Sequence, residues 1–97
     1  MQTIWKYTLH LTPTQFIDVP NGIGEVEPLH VGVQNNDICL WTIVESHQPT
    51  CKIEIQCFET GRELPPDSRR KYIGTVILPS TEVYHFFWKY ANTYTNP

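Results

Sequence analysis

Polar and apolar residues alternate along most of the chain, which is the period of a strand with one face covered. From Thr3 to Leu11, Trp5, Tyr7, Leu9 and Leu11 fall on one face, with Lys6, Thr8 and His10 on the other. Pro13 interrupts, and Gln15 to Val19 then gives a short strand with Ile17 and Val19 on one side. After the turn formers of "PNGIG", the segment "PLHVGVQ" alternates again, with Leu29, Val31 and Val33 sharing a face. "NND" supplies residues that tolerate positive φ and predicts a tight hairpin into Ile38–Glu45. In that strand Ile38, Leu40 and Val44 point one way while Cys39, Trp41 and Ile43 point the other, the pattern of a central strand covered on both sides. "SHQP" then turns into Cys51–Phe58, and "KYIGTVILP" and "EVYHFFW" read as two more strands around Pro79-Ser80-Thr81.

About seven short strands with frequent turns predict an all-β fold: a small single-domain antiparallel β-sandwich or rolled sheet. Residues 1–90 form the one expected domain, and 91–97 a flexible C-terminal tail with little to bury. Two adjacent prolines leave room for no more than a helical turn within Glu59–Arg70.

The stretch "CKIEIQC" sets Cys51 and Cys57 six residues apart around Ile53 and Ile55. In an extended strand that separation is roughly 20 Å, too far for one metal ion or one disulfide to bridge. Both thiols are therefore expected to pack as small apolar side chains. A hairpin setting Glu45 opposite Cys51 also sets Cys39 opposite Cys57, Ile43 opposite Ile53 and Trp41 opposite Ile55, whereas a slip of one residue separates the cysteines.

Composition narrows the function classes. Twelve per cent of the 97 residues are aromatic, three of them tryptophan, enough for a core without disulfide or metal staples. Ten acidic against seven basic residues give a formal charge of −3, which argues against sequence-independent binding to duplex nucleic acid. "ICLWTIV", the longest apolar run, is far short of a membrane span. The first residues carry no charged leader before an apolar block, so synthesis without export and free thiols in a reducing compartment are expected.

Chemistry-bearing motifs are sparse. His10 and His30 lie on polar strand sides, His47 in a turn and His85 among aromatics; none has the spacing of a metal site, and neither a metal nor a cofactor is expected. His85 reads as a satisfied core histidine. Ser46, Ser68 and Ser80 fall in turns outside any nucleophile elbow, so no catalytic residue stands out. Arg62 and the run Arg69, Arg70, Lys71 place four of the seven basic side chains within ten residues, a loop that suits an anion or simply stays solvated. Tyr84, Phe86, Phe87, Trp88, Tyr90 and Tyr94 crowd both faces of the last strand, more than one small sandwich easily buries. They fill the core, or one face, with Tyr84, Phe86, Trp88 and Tyr90, meets a second chain such as a symmetric partner.

"TIWKYTL", "VQNNDICLWTIV", "FETG", "YIGTV" and "VYHFF" together resemble a family of short proteins of unknown function encoded mostly by tailed bacteriophages and their prophages. The resemblance runs through about Trp88, and a histidine often follows the TG pair in that family where this chain has Arg62. It implies a phage accessory protein acting in the cytoplasm of the bacterial host. Three function classes follow. The first is a non-enzymatic domain that binds a host or phage protein, or itself, in counter-defence. The second is a sponge for an anionic small molecule such as a signalling nucleotide, and the third a hydrolase.

Overall fold

The computed structural model describes residues 1–22 and 24–91. Seven strands follow one another: β1 (Gln2–Leu9), β2 (Thr14–Pro20), β3 (Glu27–Gln34), β4 (Asp37–Glu45), β5 (Thr50–Glu59), β6 (Lys71–Ile77) and β7 (Val83–Tyr90). They form two antiparallel sheets, β1-β4-β3 and β2-β5-β7-β6, so the expected all-β architecture is a two-layer sandwich. Residues 92–97, most of the expected tail, lie outside the described residues. Ala91, the first residue of that tail, donates its N–H to the Lys52 carbonyl at 3.0 Å and prolongs the β5–β7 ladder.

The core lies between the layers. Leu40, Thr42 and Val44 of β4 face Ile53 and Ile55 of β5, Val19 of β2 and Phe86 of β7, all fully buried. Thr42 is tolerated there because its hydroxyl donates to the Glu27 carbonyl at 3.0 Å. The β3–β4 hairpin is as tight as "NND" predicts: Asn35 and Asn36 both take positive φ, and Gln34 pairs with Asp37. Alternation in β3 breaks at Leu29, where the register shifts between Pro28 and His30. Val31 is buried while Leu29 and Val33 are exposed. Gly74 sits where β6 crosses β3, and a Cβ there would come within 2.9 Å of Val31 Cγ1.

One expectation is corrected. Ser46–Pro49 is a crossover between the sheets rather than a hairpin. His47 takes φ of 70°, and the Pro49 carbonyl accepts the Asn21 and Gly22 N–H groups, fastening the start of β5 to the end of β2. Cys39 therefore lies opposite Thr8 and Gly32, Cys57 lies opposite Phe86, and the two never meet. All three cysteines are free, and Cys51 and Cys57 pack at the margin of the core beside Ile53 and Ile55, as the strand pattern requires. On the last strand the first of the two open readings holds. Tyr84, Phe86 and Trp88 are buried in the core, and Tyr90 packs at its edge with its hydroxyl accepting the Val26 N–H at 2.9 Å. These four rings fill the chain's own interior. The outward side of β7 carries Val83, His85, Phe87 and Lys89 instead.

Candidate functional site

The outward face of the four-stranded sheet brings aromatic and hydrogen-bonding side chains into register. Register sets Phe58, His85 and Thr75 in one row across β5, β7 and β6, and Gln56, Phe87 and Tyr72 in the next. Phe87 meets Phe58 and Tyr72 edge-on, at ring separations of 5.8 and 5.4 Å.

The connection from β5 to β6 folds back over this face. It starts as a turn in which Arg62 N–H reaches the Glu59 carbonyl at 3.1 Å and Gly61 takes φ of +88°, a type II geometry that favours glycine at that position. Arg70 pins the far end. Its guanidinium lies over the Phe58 and Phe87 rings, with Nε donating to Gln56 Oε1 at 2.9 Å and Nη2 to the Pro65 carbonyl at 2.7 Å. Asp67 receives the Lys89 ammonium at 2.6 Å and the Arg69 N–H at 3.0 Å. Those donors, the lysine first, hold its carboxyl down at about 2.

Between this strap and the sheet lies a recess of about 290 Å³ lined by Phe58, Glu59, Thr60, Gly61, Arg62, Leu64, His85 and Phe87. His85 sits in its floor rather than in the core, which corrects the sequence expectation. Its Nε2 is 2.8 Å from the Thr60 hydroxyl and its Nδ1 is 2.9 Å from the Thr75 hydroxyl, which in turn meets the Tyr72 hydroxyl at 2.5 Å. With the proton on Nε2, Thr60 accepts from the ring and keeps its own O–H for the recess. With the proton on Nδ1, Thr60 donates to the ring and offers lone pairs instead. In either tautomer one oxygen is left to meet an incoming group.

The four basic residues singled out in the sequence diverge. Arg62 lines the recess and stands 3.6 Å from Glu59. Arg69 is paired with Asp67 at 3.7 Å, and Arg70 is occupied in the strap. Lys71 reaches over the Trp88 and Tyr90 rings on the opposite, core-facing side of the sheet. A second hollow of about 240 Å³, at the end of the sandwich, is lined by Leu11, Thr12, Pro13, Cys57, Glu59, Arg62 and Tyr84, so the Glu59–Arg62 pair borders both. Burial, helped by Glu59, pushes the Cys57 thiol up to about 11 and leaves it protonated at neutral pH.

One family profile, described as Domain of unknown function (DUF7352), matches residues 1–96. The chain belongs to this family. No curated protein and no solved structure matches it. In this DUF7352 member the TG pair is Thr60-Gly61, the turn that forms the wall of the recess, and Arg62 follows it. Sequence reading missed the recess because Thr60, Thr75 and His85 lie in three separate segments. The signal was there in the outward phase of β7, which puts His85 and Phe87 opposite the core-facing Phe86 and Trp88.

Proposed function

We propose that this DUF7352 protein is a non-enzymatic phage accessory domain of the bacterial cytoplasm that docks a host or phage protein on the outward face of its four-stranded sheet. The observation that carries this reading is the recess: Phe58, Phe87 and His85 in its floor, Leu64 of the strap across from them, and Glu59, Thr60 and Arg62 at the rim. Its volume, about 290 Å³, falls at or below the lower end of small-molecule sites and suits one apolar side chain from a partner. The carboxylate of Glu59 beside Arg62 disfavours an anionic occupant, and the engagement of Arg69 and Arg70 with Asp67, Gln56 and Pro65 weakens the sponge reading further. Thr60, His85 and Thr75 line up in the order of a nucleophile, a base and an orienting group. The third group is a hydroxyl, which cannot stabilise an imidazolium as a carboxylate does, and this disfavours a hydrolase.

A role in blunting a host defence fits a binder of this size, with the partner a bacterial protein. The test is affinity isolation from infected cells with the wild-type chain and with Leu64→Glu, a change at an exposed position that leaves the core untouched. A protein retained by the wild type and lost by the variant supports the reading. Equal retention by both removes the recess from it.

A further inference from the structure

Among the described residues four strands stand at sheet edges, and three of them carry a feature that hinders further pairing. β3 contains Pro28 and a register shift beside it. β6 is shifted between Tyr72 and Gly74. β2 ends in Pro20, and its Asp18 carbonyl already accepts the Tyr7 hydroxyl at 2.9 Å. β1 has none of these: it pairs with β4 without a shift from Gln2↔Glu45 to Leu9↔Ile38, contains no proline, and carries one charged side chain, Lys6. Among the described residues no strand lies on its other side. Its inward face is also incompletely covered, since Trp5 remains 42% exposed, and on its outward side Ile4 is 56% exposed.

We infer that β1 is the pairing edge for a second copy of this chain, joined antiparallel about a two-fold axis through Trp5. Main-chain geometry selects the residues that bond. Ser46 N–H donates to the Met1 carbonyl, so odd-numbered positions of β1 bond to β4, and the N–H and C=O groups of Gln2, Ile4, Lys6 and Thr8 point to the open edge. Residues paired across a continuous sheet share a face, which restricts the axis to a residue rather than a gap between two. An axis through Lys6 sets two ammonium groups directly opposite each other. An axis through Ile4 leaves Thr8 without a partner.

With the axis at Trp5, Gln2 meets Thr8, Thr3 meets Tyr7 and Ile4 meets Lys6 of the second copy, and all eight open N–H groups of the pair find a carbonyl. The two indoles meet at a non-bonded position, where strands approach most closely, on the side where Trp5 is half open to water. The two three-stranded sheets become one of six strands. This surface lies on the other layer from the Phe58–His85 recess, and the inference does not rest on the docking proposed there.

The experiment is sedimentation of the full chain over a dilution series, with variants that read the register. The wild type should sediment as a dimer that dissociates on dilution. Ile4→Pro removes only an edge N–H that β4 does not use, and should give monomer throughout. Ile4→Glu sets a carboxylate opposite Lys6 twice and should tighten the dissociation constant by roughly fivefold, while Ile4→Lys should weaken it similarly. Trp5→Cys should give a disulfide-linked dimer on mild oxidation, and Thr3→Cys should not. A wild-type monomer at every concentration, or a dimer whose affinity ignores the sign of the charge at position 4, overturns the inference.

Discussion

Lys89 Nζ lies 2.6 Å from Asp67 Oδ2, and this contact ties the middle of the β5–β6 strap to the outward side of β7. Both side chains are largely shielded from water, so the pair shapes the recess rather than decorating the surface.

The same contact makes the strap sensitive to acid. The folded carboxyl is held at about 2, against ~3.9 in an unfolded chain. The contribution to stability is therefore fully present above the unfolded value and is lost as the pH falls through the folded one, with no change near neutrality. An NMR titration of the Asp67 side-chain carboxyl should show its midpoint near 2. In Lys89→Met that midpoint should move up towards the ordinary value.

Arg70 is expected to behave as a strut and not as an anion ligand. Two different acceptors, Gln56 Oε1 and the Pro65 carbonyl, are met by two different nitrogens of one planar group stacked on Phe58 and Phe87. Arg70→Lys should lower the unfolding free energy in urea by about 1–3 kcal/mol despite keeping the charge, because an ammonium cannot reproduce that fork.

Cys57 should be chemically quiet. With its thiol raised to about 11, alkylation of the folded protein near neutral pH should be far slower than for an unperturbed thiol, and it should accelerate as the pH approaches that value. Peptide mapping after a timed exposure to iodoacetamide reads this directly. Denaturation should abolish the protection.

Three substitutions separate core from surface on β7 and β6. Phe86→Ala empties a fully buried position and should cost about 3–5 kcal/mol. Gly74→Ala drives a methyl to within 2.9 Å of Val31 Cγ1 between the sheets, which should cost about 1–3 kcal/mol. Tyr72→Ala, at a ring 59% exposed, should cost less than either. Equilibrium unfolding of the three variants ranks them.

Strand alternation carried most of the fold. Its phase in β4 and β7 places Leu40, Val44, Phe86 and Trp88 inside, and the paired asparagines announce the β3–β4 turn. What alternation cannot carry is which strand pairs with which. "SHQP" looks the same whether it closes a hairpin or carries the chain to the other sheet, and that ambiguity left the opposition of Cys39 and Cys57 open until the pairing was known. The recess was hidden for a related reason. Thr60 reaches His85 because β5 pairs with one side of β7, and Thr75 because β6 pairs with the other, so the three are separated in sequence and adjacent in register. Basic residues clustered in sequence pointed to an anion, yet strand and loop geometry send Arg62, Arg70 and Lys71 to different places.

Native mass spectrometry of the chain purified gently from infected cells, beside Leu64→Glu, is the most direct test of docking at the recess. A bound polypeptide whose mass is not a multiple of the chain, present on the wild type and missing from the variant, is the expected result. An adduct of a few hundred daltons carried equally by both, with no polypeptide, contradicts protein docking at this face.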